Sequence, residues 1–115
     1  MSQSQKTKTS LSSNQDQLEY ALEATLTAKT LSYLDSQEDL FYVKISDRYN
    51  IGISDILVCL GGTFIAIELK AIGNTASMPQ KMFIENVIKA GGIGGVCYSI
   101  WQVKQLLNAA RRVPQ

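Results

Sequence analysis

Residues 52–70, GISDILVCLGGTFIAIELK, decide the fold. They read as two apolar runs hinged at Gly61-Gly62, with Asp55 opening the first and Glu68-Leu69-Lys70 closing the second. A Gly-Gly pair between β-rich runs predicts an antiparallel hairpin. Alternate residues of a strand share a face, so Glu68 and Lys70 point one way while Leu69 points into the core. A hairpin centred on the glycines sets Asp55 across from the Glu68 region. Asp, Glu and the Leu69 carbonyl are oxygen donors suited to a hard divalent cation such as magnesium, with Lys70 as a point charge beside it. The bland alternative is an exposed strand face on which Glu68 and Lys70 pair with Asp55. Ile65, Ala66, Ile67 and Leu69 argue against it, because they predict a largely buried strand where charge is costly unless it serves a site.

Upstream, Met1 to Ser13 is polar and aperiodic, an expected flexible arm, and residues 14–115 form one domain. Ser13 or Asn14 can cap a helix over about 15–34, in which Leu18, Leu22 and Leu26 recur every fourth residue and Glu19 and Glu23 flank the stripe. Asp35 to Asp39 is an acidic turn expected in solvent. Leu40 to Ile45 reads as the first strand, with Phe41, Val43 and Ile45 on one face and Tyr42 and Lys44 on the other. The loop from Ser46 to Ile51 leads into the motif. Lys44, Arg48 and Tyr49 therefore lie near the chemical end of the sheet, where they can serve as phosphate contacts and a stacking surface or be an ordinary charged turn.

Downstream, Ala71 to Ser77 is a small-residue loop. Ser77 and Pro79 start a helix whose expected apolar face is Phe83, Ile84, Val87 and Ile88. Gly91-Gly92-Ile93-Gly94-Gly95 follows a helix and lacks the Lys-Ser/Thr of a phosphate loop, so it reads as a helix stop. Val96 to Ser99 is a short last strand, and Trp101 to Ala110 a closing helix with Trp101, Leu106 and Leu107 apolar. The final arginines suit the negative end of that helix or a DNA contact.

Composition narrows the chemistry. The chain of 115 residues has no histidine, which removes Ser-His-Asp and Cys-His catalysis and most zinc sites. Any hydrolysis falls to carboxylates, lysine and metal. A net charge of +1 means that nucleic-acid binding needs a local patch. Cys59 and Cys97 sit in apolar runs and are expected as buried thiols. No apolar run is long enough for a membrane span and the first residues are not signal-like, so the expected location is the cytoplasm.

Asp55, a turn and Glu68-x-Lys70, preceded by Gly52-Ile53-Ser54, resemble the PD-(D/E)xK nuclease motif. Met78-Pro79-Gln80-Lys81, then a helix and Ala90-Gly91-Gly92, is similar to the VRR-NUC branch of that superfamily. The likeness spans about residues 15–99. It departs at Ser54, where many members carry a proline that shapes the turn. The resemblance implies an α/β, three-layer restriction-endonuclease-like fold with a central mixed sheet flanked by helices. It implies magnesium or manganese held by Asp55, Glu68, the Leu69 carbonyl and a first-helix glutamate, with spacing favouring Glu23 over Glu19. Gln80 is implied as an active-site residue, and Lys81 beside it as a nucleic-acid contact. Stand-alone relatives resemble Holliday-junction resolvases that act as homodimers. The expected function is thus a structure-selective DNA endonuclease acting on four-way junctions, encoded by a phage or mobile element in a bacterial host. A nickase or flap and single-strand repair nuclease, and a catalytically silent DNA-binding module, are the alternatives.

Overall fold

The computed structural model describes residues 22–46 and 51–113. The polar arm, Glu19, Arg48 and Tyr49 lie outside these. Helix α1 covers residues 22–35, followed by β1 (Leu40–Lys44), β2 (Ile56–Leu60), β3 (Thr63–Leu69), α2 (Met78–Lys89), β4 (Ile93–Cys97) and α3 (Ile100–Arg111). The strands form one mixed sheet in the order β1-β2-β3-β4, antiparallel except for the parallel β3–β4 pair. Parallel neighbours require a crossover, and α2 supplies it.

Gly61 and Gly62 adopt φ of 56° and 84°, as a two-residue turn matched to the strand twist demands. That turn fixes the register. Leu60 faces Thr63 and Ile56 faces Ile67, so the next pair along is Asp55 and Glu68. Ile56, Val58, Leu60, Ile65, Ile67 and Leu69 share one face and pack with Leu26 and Leu34 of α1 and with Val103, Leu107 and Ala110 of α3. Helix α2 covers the other face only over β3 and β4, where Ile84 meets Ala66 and Gly94.

The glycine run divides in two. Gly91, at φ 99°, ends α2, whereas Gly94 and Gly95 belong to β4, which starts at Ile93 rather than Val96. A side chain at Gly94 would crowd its neighbours, an added Cβ standing 3.2 Å from both the Ala66 carbonyl oxygen and an Ile84 methyl of α2. At Gly92 an added Cβ would stand 2.7 Å from both the Phe64 carbonyl oxygen and a Val87 methyl. Gly92→Ala should therefore cost about 1–3 kcal/mol through overpacking, read as a lower urea midpoint at unchanged slope.

Several expected burials are corrected. Leu22, Ile88 and Trp101 are at least half exposed, and Cys59 is exposed while Cys97 is buried. The α1 stripe is carried instead by Leu26, Thr30 and Leu34, the Thr30 hydroxyl donating to the Leu26 carbonyl at 2.8 Å. Arg111 pairs with Asp39 at 2.9 Å, so the acidic turn is tied to the end of α3. Among the described residues no helix is long and apolar enough to cross a membrane.

Candidate active site

A cleft of about 470 Å³ opens at the end of the sheet between α1 and the start of α2. Glu23, Lys44, Asp55, Glu68, Lys70 and Gln80 line it, with Ala24, Thr27, Ala28 and Leu31 of α1 forming its apolar wall. The small alanines leave the cleft open where larger side chains would fill it.

Glu68 is the centre of the arrangement. It is only 1% exposed, because β3 is buried on both faces and the residue stands at the covered side beneath α2. Its Oε2 accepts from Gln80 Nε2 at 3.2 Å and lies 4.0 Å from Lys70 Nζ. Its Oε1 is buried and has no hydrogen-bond partner among the described residues. Burial, and secondarily a hydrogen bond to the Asp55 carboxyl and its charge, push the Glu68 carboxyl up to about 8; Lys70 pulls the other way.

Asp55 precedes β2 and is fixed from both sides. The Ile45 amide donates to its carbonyl oxygen at 2.8 Å, and its Oδ2 accepts from the Leu69 amide at 2.8 Å. The Leu69 side chain is buried, so this residue meets the site only through its backbone. Gln80 has two tasks. Its Oε1 accepts from the Ser77 amide at 2.8 Å while Ser77 Oγ accepts from the Gln80 amide, a reciprocal cap that aims the remaining Nε2 at Glu68.

The sequence-predicted Asp55, Glu68, Lys70, Gln80, Glu23 and Lys44 are thus brought together. Lys81 is exposed on α2 and does not line the cleft. Sequence reasoning missed the clamp of Asp55 on the Leu69 amide and the buried Ser54, whose Oγ has no partner among the described residues. The Ser77-x-x-Gln80 spacing was the available signal for the cap; nothing in the sequence marks the other two.

Among the described residues no three Asp, Glu, Cys or His groups stand close enough to ligate one ion by themselves. The donor set still fits magnesium or manganese. Magnesium typically keeps several waters and takes one or two carboxylates, and the unpartnered Glu68 Oε1 beside Asp55 is such a position. Comparisons of the chain with family models, curated proteins and solved structures found no match in any of the three.

Proposed function

We propose that the chain is a divalent-metal-dependent endodeoxyribonuclease of PD-(D/E)xK type, in the VRR-NUC branch, which cuts branched DNA, four-way junctions foremost, as a homodimer. The observation that carries this reading is Glu68: a carboxylate 1% exposed, with one oxygen unpartnered among the described residues, beside Asp55 and Lys70 in an open cleft. A buried carboxyl with an unsatisfied oxygen is expensive in a merely structural strand. It is reasonable where a cation and a phosphate complete it.

Asp55 and Glu68, with the Leu69 carbonyl and Glu23, are the residues that would hold magnesium or manganese. Bound there, the cation supplies positive charge that polarises the phosphoryl group and acidifies water. The chain's own groups do the rest. Gln80 holds Glu68 in place from the capped start of α2. Lys70, about a fifth exposed, presents its ammonium to the cleft, where it stabilises charge developing on the phosphate or orients the attacking water. Lys44, which also lines the cleft, offers a contact for a neighbouring phosphate.

The test is incubation of the purified protein with labelled four-way junction, flap, duplex and single-stranded DNA, with magnesium, manganese or chelator. Paired nicks in the junction that vanish with chelator are expected. Cleavage confined to flaps or single strands would move the protein to a repair nuclease. Binding without cleavage in either metal would overturn the enzymatic reading.

A further inference from the structure

Helix α1 presents a different face with each row of residues spaced four apart. Leu26, Thr30 and Leu34 are buried against the core. Glu23, Thr27 and Leu31 line the cleft. Ala24, Ala28 and Ser32 form an exposed crest of small side chains. Thr25, Lys29 and Tyr33 lie on the other flank, along a groove between α1 and the start of α3. Two hollows of about 280 and 510 Å³ make up this groove, joined at Lys29 and Ile100, which line both. The first hollow also reaches Lys70, so groove and cleft meet at that residue.

The groove has one sign of charge. Lys29, Lys70 and, one turn into α3, Lys104 line it, and among the described residues no carboxylate does. Lys29 and Lys104 are exposed, Lys104 standing 4.9 Å over the Tyr33 ring. Among the described residues the ion pairs are Lys70 with Glu68 and Arg111 with Asp39, so neither of these two lysines is neutralised in one. The cleft is different, its two lysines standing among the carboxyl groups of Glu23, Asp55 and Glu68. A chain of net charge +1 needs a local patch to hold a polyanion, and the cleft alone is not one.

We propose that the groove holds the phosphate backbone of a second DNA strand while the scissile strand occupies the cleft, so that α1 stands between the two. An α-helix with small side chains is about 10 Å across and the major groove of a duplex about 12 Å wide, so such a helix enters it and meets a row of phosphates on each flank. The crest of Ala24, Ala28 and Ser32 is what permits the entry, since long side chains there would hold the bases away from both flanks. Lys29 and Lys104 then act as phosphate contacts that position the substrate and read no sequence. The inference takes the scissile strand from the nuclease reading and adds a requirement to it. The substrate must offer two strands, as a duplex arm does, because a lone strand engages one flank only.

Fluorescence anisotropy with labelled duplex, four-way junction and single-stranded DNA, metal removed by chelator, tests it. The wild type should bind the duplex and the junction more tightly than the single strand. Lys29→Glu and Lys104→Glu should each weaken binding of the two-stranded substrates by about tenfold at low salt, lower the slope of log affinity against log salt by about one, and leave the single strand within about twofold. Their circular dichroism should match the wild type, because both lysines are exposed. Lys89→Glu makes the same charge change at the end of α2 remote from Gln80, and should bind all three substrates within about twofold of the wild type. An equal loss on the single strand, an equal loss from Lys89→Glu, or a wild type that binds none of the three would overturn the proposal. Binding is read without metal, so a protein that binds in the expected pattern yet never cuts would refute the nuclease reading and leave α1 between two strands.

Discussion

Glu68→Gln should reduce metal-dependent cleavage by about a hundredfold to a thousandfold and, in the same molecule, strengthen the fold at alkaline pH. The stability effect follows from the raised carboxyl. In the folded chain Glu68 holds its proton up to about 8, whereas in the unfolded chain it releases it near the ordinary 4.5. Between those values the folded state binds more protons, so stability is full below the unfolded value and is lost as pH rises through the folded one. The loss is on the order of a few kcal/mol, since each unit of displacement is worth about 1.4 kcal/mol. Glutamine keeps the acceptor for Gln80 and never ionises. Urea midpoints across the acid-to-alkaline range should therefore fall for the wild type and stay level for the variant. Magnesium should restore the wild type at alkaline pH and leave Glu68→Gln unmoved. Parallel pH profiles for the two proteins would show that Glu68 is not the titrating group.

The second large effect separates chemistry from architecture at Asp55. Asp55→Ala and Asp55→Asn should both lose cleavage to a similar degree, since neither supplies a carboxylate for a cation. Their stabilities should differ. Alanine removes the acceptor of the Leu69 amide and strands a partly buried donor, at about 1–3 kcal/mol. Asparagine retains an acceptor oxygen and relieves the charge facing Glu68, so it should equal or exceed the wild type. Denaturation of the three proteins, set beside single-turnover cleavage, resolves the two roles. Equal midpoints for alanine and asparagine would show that the Leu69 bond does not anchor the strand ends.

The hairpin and the meeting of Asp55, Glu68 and Lys70 were legible because local chemistry dictates them: paired glycines choose the turn, and a period of two chooses the faces. Ser77 as a cap and Gly91 as a helix stop were readable for the same reason. Exposure at Cys59, Ile88 and Trp101 was not readable. Their apolar character says that they could be buried, but whether they are depends on where one helix lies across a sheet four strands wide. Gly94 and Gly95 misled in the opposite sense. As isolated residues they oppose strand formation, yet at Gly94 an added Cβ would stand 3.2 Å from the Ala66 carbonyl oxygen and an Ile84 methyl, so the missing side chain suits the close packing of β4 beneath α2. The site shares this division. Asp55 and Glu68 come from one hairpin and could be placed from sequence, while the inward aim of Gln80 depends on how α2 docks.

The same division sets an order of assembly. The bond between Asp55 and the Leu69 amide spans 14 residues, so it closes with the hairpin, an event of about microseconds. The β3–β4 pairing must wait until α2 has folded and crossed over, as long loops close late. Half of the centre thus exists before the domain is whole. Were α2 to detach locally, Gln80 would leave with it, while Asp55 and Glu68 would stay side by side on the hairpin that made them neighbours.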